Sequence, residues 1–328
     1  MDYSSLLSLQ IMDESLLFWG GFLTIVLGLL VFDLGVLNRR DHEAGIKESL
    51  RTALLYFMVA CGFGVWVWIA RGADDGMDFF TAYLVEQSLS LDNIFVMSLI
   101  FSYFAIPRVY QHRVLFWGII GVIVFRGIMI GFGLALVHHF DWVLLIFAAF
   151  LIFTGIKLMF SHEDNPAIEE NGLIRLLKKH FPVTTTIESN KFLIREFHTA
   201  RDRKTLHITP LLLALITIEC ADIIFAFDSV PAVFAITTDS FIAYTSNIFA
   251  IIGLRAMYFV LTALIHRFSY MNYALSLILV MIGLKAFYAH FFDKVPSWLS
   301  LGLTLGILVG GFILSFLKTK ADEAKQKV

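Results

Sequence analysis

The chain has 328 residues, of which 58% are hydrophobic and only 16% are charged, and its mean hydropathy is +0.78. Soluble domains usually carry about 25% charged residues, so the composition excludes an ordinary soluble protein and predicts an all-α polytopic membrane protein. The net charge of −2 says little about partners, because in a membrane protein the position of each charge relative to the bilayer matters more. The lipid bilayer is the expected surrounding, and no nucleic acid partner is expected.

Nine apolar segments are long enough to cross about 30 Å of hydrocarbon as α-helices. They are residues 15–37, 50–70, 79–104, 113–137, 141–160, 208–236, 241–264, 271–291 and 297–317. The first 14 residues lack a basic region and a small-residue cleavage site. We therefore expect the first apolar segment to direct membrane insertion without being cleaved.

The basic residues of the connecting loops indicate how the chain is oriented. Nearly all Lys and Arg outside the apolar segments fall in one set of loops, whereas the opposite set holds only Arg71 and Lys294. Cytoplasmic loops of membrane proteins carry the excess of Lys and Arg. This distribution predicts an amino terminus outside the cytoplasm and a cytoplasmic carboxyl terminus.

Two stretches, residues 79–160 and 208–291, run through the same order of chemical groups. The motifs EQSLSLDN and ADIIFAFDS can be aligned on their last aspartates, Asp92 and Asp228. The acids six residues upstream, Glu86 and Asp222, then align as well. Each copy then carries an arginine on its second apolar segment and a Gly-x-Lys on its third. The equivalent pairs are Glu86 and Asp222, Asp92 and Asp228, Asn93 and Ser229, Arg126 and Arg255, and Lys157 and Lys285.

Three helices in each copy give the copies opposite orientations in the membrane, since an odd number of crossings reverses the direction of entry. Inverted repeats of this kind place a substrate site near the bilayer midplane, between the halves. The loop between the copies has a helical pattern around residues 171–181 and is interpreted as a solvated connector. The predicted organisation is a two-helix segment at 1–78, repeats at 79–160 and 208–291, a cytoplasmic loop at 161–207, and a final helix with a cytoplasmic tail at 292–328.

Acidic residues inside apolar segments are the strongest indication of function, because each costs about 2.5 to 3.5 kcal/mol at a helix centre. There are six: Asp33, Glu86, Asp92, Glu219, Asp222 and Asp228. Pairing with the four embedded bases, as a structural ion network, accounts for some of them. If all six are ionised, a charge of −2 remains, which one divalent cation would neutralise.

The residues around these acids favour a hard cation. Asn93 follows Asp92, and Ser229 follows Asp228, so amide and hydroxyl oxygens accompany the carboxylates. Pro231 has no N–H and leaves the carbonyl of residue 227 without its helical partner. Glu219 and Asp222 share a helix face. Oxygen ligands favour Mg²⁺, Ca²⁺ or Mn²⁺ over Zn²⁺ or Cu⁺.

The motifs EQSLSLDNIFV, IECADIIFAFDSVPAVFAITTD, TSNIFAIIGLRAMYF and IGLKAFY resemble the TerC/Alx family of bacterial integral membrane proteins. The resemblance implies export of Mn²⁺ as a transported ion across the inner membrane, with no tightly bound cofactor, and a link to secretion machinery or exported metalloenzymes. The metal ligands that it implies are Glu86, Asp92, Asn93, Asp222, Asp228 and Ser229. Glu219, in the same motif, is also predicted as a metal ligand, although the Cys-Ala pair that follows it departs from the family pattern.

Three other functions remain to be compared with uncoupled cation export. Exchange of the metal for protons would use the same acids, and the sequence does not decide between the two. An intramembrane aspartyl protease would need a GxGD motif, which neither Asp92 nor Asp228 has, and nearby bases oppose the raised pKa that such a dyad requires. A membrane scaffold fits the cytoplasmic loop but does not explain the buried acids. We therefore expect a transporter and not an enzyme, with Asp33 as an entry or structural residue.

Overall fold

The computed structural model describes residues 10–11, 14–33, 45–140, 142–160, 190–198, 203–264, 271–292 and 295–325. Within these residues the chain forms nine helices and four short strands. The helices are α1 Leu16–Phe32, α2 Ile46–Arg71, α3 Ala73–Tyr103, α4 Arg108–His139, α5 Trp142–Phe160, α6 Pro210–Phe234, α7 Ser240–Leu264, α8 Met271–Phe291 and α9 Ser297–Lys325. The strands are β1 Gln10–Ile11, β2 Glu14–Ser15, β3 Leu193–His198 and β4 Arg203–Ile208.

An all-α polytopic membrane fold is confirmed, but the predicted number of nine spans is not. Seven helices within the described residues, α2 and α4 to α9, are long and apolar enough to cross a membrane. Helix α1 has only 17 residues, and residues 34–37 of the segment predicted there lie outside the described part of the chain. Helix α3 is long, but the polar residues of EQSLSLDN lower its hydropathy.

Glycine and proline set several of the helix boundaries. Gly72 ends α2 and precedes α3 at a φ of 108°, a conformation in which a Cβ would be strained. Pro107 immediately precedes α4. Pro210 occupies the first turn of α6, where its missing N–H costs no hydrogen bond. Each of these residues therefore marks a point where the chain ends one element and begins the next.

Helix α7 lies at the centre of the bundle. It packs against α2, α3 and α4, and 78% of its most apolar window is buried, against 22% to 44% in the other six spans. Helices α5 and α9 are the least enclosed and expose large apolar side chains, as lipid-facing helices do. The bundle has two ends, here named after residues of α2: the Glu48 end and the Arg71 end.

A β-hairpin formed by β3 and β4 precedes α6 and was not predicted. The strands pair in antiparallel register, with Leu193 opposite Ile208 and His198 opposite Arg203. Phe192, just before β3, contacts Trp117 of α4 and lies under the guanidinium of Arg113. The hairpin is therefore attached to α4. The helix predicted around residues 171–181 lies outside the described residues.

Helices α5 and α8 cross closely through two reciprocal glycine contacts. A Cβ on Gly155 of α5 would lie 2.8 Å from the carbonyl oxygen of Ser276 and from Val280 on α8. A Cβ on Gly283 of α8 would lie 2.7 Å from the carbonyl oxygen of Ala148 and from Ile152 on α5. Both glycines thus allow the backbones to approach each other more closely than any side chain would permit.

Replacement of either crossing glycine by alanine is expected to destabilise the protein. We expect Gly155→Ala and Gly283→Ala each to cost about 1 to 3 kcal/mol, because backbone atoms must move apart to admit the methyl group. Thermal unfolding of the detergent-solubilised protein measures the effect. Gly306→Ala on α9, where no atom lies within 4 Å of the added Cβ, is the matched control. Equal melting temperatures for Gly155→Ala and Gly306→Ala would contradict this account of the crossing.

Candidate functional site

The first buried charge cluster joins α3, α4 and α6. Glu86 of α3 lies 3.0 Å from a guanidinium nitrogen of Arg126 on α4. The other terminal nitrogen of Arg126 donates a hydrogen bond of 2.5 Å to the hydroxyl of Ser229 on α6. Glu86 is 0% exposed and Arg126 is 2% exposed. The arginine therefore neutralises a carboxylate that has no access to bulk water.

The second cluster joins α6, α7 and α4. Arg255 of α7 donates a 2.6 Å hydrogen bond to Asp222 of α6 and another of 2.6 Å to the carbonyl of Leu115 on α4. Glu219, one turn before Asp222, lies 4.0 Å from the same guanidinium. Arg255 is thus held between two acids of α6 and the backbone of α4.

Two glycines of α4 make room for the second cluster. A Cβ at Gly118 would overlap the guanidinium of Arg255, and a Cβ at Gly121 would overlap the carboxylate of Glu219. A side chain at either position would push these charged groups away from α4. The sequence analysis did not identify these glycines, because their role depends on a neighbouring helix.

Several carboxylate oxygens of the two clusters remain without hydrogen bonds. Both oxygens of Glu86 and both of Glu219 are buried without a well-aligned hydrogen bond from the described residues, although Arg126 and Ser229 lie close to Glu86. Glu86 and Arg126 are therefore close enough for an ion pair but are not aligned as donor and acceptor. A buried acceptor without a donor costs about 1 to 3 kcal/mol. The site thus has more oxygen acceptors than its two arginines satisfy.

A cavity of about 100 Å³ lies beside the first cluster. The rest of its wall is mostly apolar, and its polar lining consists of Glu86, Ser90, Asn93, Arg126, Thr154 and Ser229. When volume is measured as the space that the centre of a water molecule can reach, a cavity needs about 10 to 15 Å³ to hold one water molecule. It therefore has room for a partly hydrated ion among carboxylate, hydroxyl and amide oxygens from α3 and α6.

A smaller void of about 10 Å³ lies between residues of the two clusters. Arg126, Glu219 and Asp222 line it, together with apolar residues of α4 and α6. Arg126 therefore faces both cavities. A movement of this guanidinium would change the surroundings of all three buried acids.

A third cavity, of about 40 Å³, lies near the Glu48 end and reaches the second cluster. Asp33, Glu48, Tyr56 and His112 line it, and Arg255 forms part of its inner wall. Asp33 is buried and lies 3.5 Å from a ring nitrogen of His112. The structure thus places Asp33 at the end of the bundle with Glu48 and His112, which the sequence analysis did not select.

The other predicted site residues lie in different places. Asp92 is on α3 and Asp228 is on α6, but their side chains are outside the described part of the structure. Among the side chains that are described, no three His, Cys, Asp or Glu residues form a group that could hold a metal ion. The predicted metal site is therefore not observed as an assembled set of ligands, and its two aspartates are not included in that test.

One of the embedded lysines, Lys285, lies near an acid that the repeat alignment did not include. Lys285 of α8 interacts electrostatically with Asp78 of α3, whose carboxylate also bonds Ser297 at the start of α9. Lys157 is an exposed residue in the last turn of α5. The sequence analysis had predicted both lysines as partners of the repeat acids and did not select Asp78. Alignment located equivalent positions but gave no information about which helix each side chain faces.

A sequence profile of the integral membrane protein TerC family matches residues 71–323. The chain belongs to the TerC family. A protein of Rickettsia bellii, described as an uncharacterized membrane protein, is 45% identical over 300 residues, 92% of this chain and 97% of the relative. A Myxococcus xanthus relative with a similar description is 44% identical over 304 residues, 92% of each chain.

A TerC family relative from Escherichia coli K12 carries the provisional name membrane-bound redox modulator Alx. It is 43% identical over 308 residues, which are 91% of this chain and 94% of the relative. No solved structure matches the chain. The predicted resemblance to the TerC/Alx family is therefore confirmed.

Removal of Arg126 from this TerC family protein is expected to destabilise it strongly. Arg126→Met should cost about 3 to 5 kcal/mol, because Glu86 would remain buried without a counter-charge. Adding Glu86→Gln should recover more than half of that loss. Thermal unfolding in detergent measures both variants, and Arg51→Met, which removes an exposed arginine, is the control. No recovery in the double variant would show that Arg126 stabilises the protein in some other way.

Proposed function

We propose that the protein is a secondary transporter that exports a divalent cation, Mn²⁺, from the bacterial cytoplasm by alternating access. In this proposal the chain lies in the inner membrane, with the Glu48 end facing the cytoplasm and the Arg71 end facing outward. The cation is held by acids of the two repeats near the middle of the membrane. The family resemblance suggests Mn²⁺ in particular, and the oxygen ligands support a hard divalent cation in general.

The observation that carries the proposal is the pair of buried clusters with unsatisfied carboxylate oxygens. Glu86 and Asp222 are near the middle of α3 and α6, where an uncompensated acid is costly in a membrane. Ser90, Asn93 and Ser229 add neutral oxygen donors around the larger cavity. Such a set of acceptors suits a cation better than it suits a purely structural core.

The inverted repeat is part of the proposal, and two sets of contacts support it. Glu86 pairs with Arg126 within the first repeat, and the aligned residues Asp222 and Arg255 pair within the second. In the α5–α8 crossing, Gly155 contacts residues 276 and 280, while Gly283 contacts residues 148 and 152. When each residue is replaced by its aligned equivalent, the first ion pair becomes the second, and the contacts of Gly155 become those of Gly283. A pseudo-two-fold axis between the repeats requires this equivalence.

The arginines supply a mechanism for the empty carrier. With no cation bound, Arg126 and Arg255 neutralise Glu86 and Asp222. When a divalent cation enters, it replaces one or both guanidinium groups as the partner of the acids, and Asp92, Asn93 and Asp228 complete its coordination. Each ion pair therefore favours one state of the cycle, and the bound cation favours the other.

The name of the Alx relatives suggests a second class, redox modulation, for which this chain offers two cysteines. Cys61 and Cys220 are both free and lie on different helices, α2 and α6. A role in assembling secretion machinery is a third class. Neither class uses the buried acids, so substitution of those acids separates transport from both.

Substitution of the paired acids is expected to abolish transport. Glu86→Gln and Asp222→Asn should each reduce Mn²⁺ flux into or out of proteoliposomes at least about tenfold, because each removes a cation ligand while keeping its shape. Asp92→Asn and Asp228→Asn should do the same. A metal-sensitive dye inside the vesicles records the flux, and Mg²⁺, Ca²⁺ and an imposed pH gradient test selectivity and proton coupling.

Asp74→Asn is the control for these variants, because Asp74 is an exposed acid in the first turn of α3, about three turns before Glu86. It should transport like the parent protein. Normal Mn²⁺ flux through well-folded Glu86→Gln and Asp222→Asn would contradict the proposed site. The absence of flux for every divalent cation in the parent protein would contradict transport itself and leave the scaffold and redox functions.

A further inference from the structure

The Arg71 end is closed by a three-residue ion cluster. Arg71, at the end of α2, donates from Nε to Asp75 at 2.8 Å. Its two terminal nitrogens lie 2.5 Å and 3.4 Å from the two carboxylate oxygens of Asp239. The three side chains are 16%, 34% and 28% exposed in the order Arg71, Asp75 and Asp239. The cluster thus remains in contact with solvent at one side.

Asp239 is a fixed part of the cluster. One of its carboxylate oxygens accepts a hydrogen bond from the backbone N–H of Ile242 at 2.9 Å, in the first turn of α7. Its own N–H donates to the hydroxyl of Thr237. Arg71 therefore connects the α2–α3 reversal to the α6–α7 reversal. In the proposed topology, this contact joins the amino-terminal half of the molecule to the second repeat.

An aromatic layer lies directly beneath the ion cluster. The guanidinium of Arg71 lies 5.9 Å from the ring centre of Phe241, which is 0% exposed. Phe241 packs against Trp19, Phe18 and Phe63, with ring centres 5.2, 5.7 and 6.0 Å away. The layer joins α1, α2 and α7 and leaves no exposed surface on Phe241 beneath the ion cluster.

A buried amide lies between this layer and the second charge cluster. Asn247 of α7 is 0% exposed, and neither its side-chain oxygen nor its nitrogen has a hydrogen-bond partner among the described residues. It is eight residues beyond Asp239 and eight before Arg255, or about 12 Å from each along the helix. A buried amide without partners is costly. It would gain partners if water or a hydrated cation reached it.

The two ends of the bundle therefore differ. At the Glu48 end, a polar cavity extends to Arg255. At the Arg71 end, the ion cluster and the aromatic layer lie between solvent and Asn247. A larger cavity of about 270 Å³ also lies at the Arg71 end, beside Trp19, Ser240 and Tyr244, but its wall is almost entirely apolar. The cavity that brings polar groups toward the buried charges therefore lies at the Glu48 end.

We propose that Arg71, Asp75 and Asp239 form the outer gate of the transport path, and that Asn247 lines the path that the gate closes. Opening requires Arg71 to leave Asp239, after which α7 is free to move away from α2 and the aromatic layer separates. An ion pair with one side in solvent suits this role, because water replaces its contacts at little cost. The proposal rests on the proposed transport function and adds the residues that control release on the outer side.

Cysteine accessibility tests the gate directly. The parent for this experiment carries Cys61→Ser, Cys220→Ser and Asn247→Cys, and a membrane-impermeant maleimide is applied from the Arg71 side of oriented vesicles. Arg71→Gln and Asp239→Asn should each increase the labelling rate at position 247 about fivefold or more, since loss of the pair shifts the closed state toward the open one. The exchanged variant Arg71→Asp with Asp239→Arg should return the rate toward that of the parent.

Asp74→Asn is the matched control, because Asp74 is an exposed acid in the same turn as Asp75. It should label like the parent. Equal labelling of the parent, Arg71→Gln and Asp239→Asn, with unchanged melting temperatures, would overturn the gate. If the single variants fail to fold, Asp75→Asn replaces them. It keeps the pair between Arg71 and Asp239 and removes only the contact of Arg71 with Asp75. It should still raise the labelling rate, and an unchanged rate would count against the proposal.

The same vesicles distinguish the gate from the transport function. Labelling at position 247 does not require Mn²⁺. A labelling rate that rises in Arg71→Gln and Asp239→Asn, in vesicles without Mn²⁺ flux, would therefore support the gate and contradict Mn²⁺ export. Mn²⁺ flux with a rate independent of Arg71 would support export and overturn the gate.

Discussion

The interior of this membrane protein depends on the neutralisation of acids by two arginines. Glu86 and Asp222 are buried away from bulk water, and Arg126 and Arg255 each provide the opposite charge within 3.0 Å. Removing one partner of such a pair is far more damaging than removing both. The positions of α3, α4, α6 and α7 are therefore constrained by charge as well as by apolar packing. The glycines of α4 belong to the same constraint, since they admit the charged groups between helices.

This arrangement suits the proposed carrier because each arginine pairs with an acid while several carboxylate oxygens remain without aligned donors. The carboxylate oxygens of Glu86 and Glu219 lack hydrogen bonds from the described residues, and a cavity with further oxygen donors adjoins Glu86. A core built only for stability would pair its acceptors fully. In the proposed transport cycle, the site alternates between an internal cation and a transported one. The acids must then remain available to both, at some cost in stability.

Sequence patterns predicted the helices well because nearly every span is a long apolar run bounded by charged residues, glycine or proline. They also identified Glu86, Asp222, Arg126 and Arg255, since four charges inside apolar segments are conspicuous. Patterns could not predict that Lys285 faces Asp78 instead of the repeat acids, because side-chain direction depends on how each helix is rotated in the bundle. For the same reason, Gly118, Gly121 and Asn247 gave no signal: each is ordinary in its own helix and unusual only beside its neighbours. The β3–β4 hairpin was missed because its short, charged strands resemble a loop.

Helix α7 carries three of the features described above on one continuous element. Asp239 caps its first turn, Asn247 follows two turns later, and Arg255 lies near its middle, about 24 Å from Asp239 at 1.5 Å per residue. A straight helix transmits a tilt along its whole length, so displacement at its capped end is accompanied by displacement of the guanidinium in the core. The Asp239 end of α7 and the segment around Arg255 therefore cannot move independently. Simultaneous opening to both aqueous phases, which would leak ions down their gradients, is then opposed by the stiffness of a single helix and does not require a separate signal between the two ends.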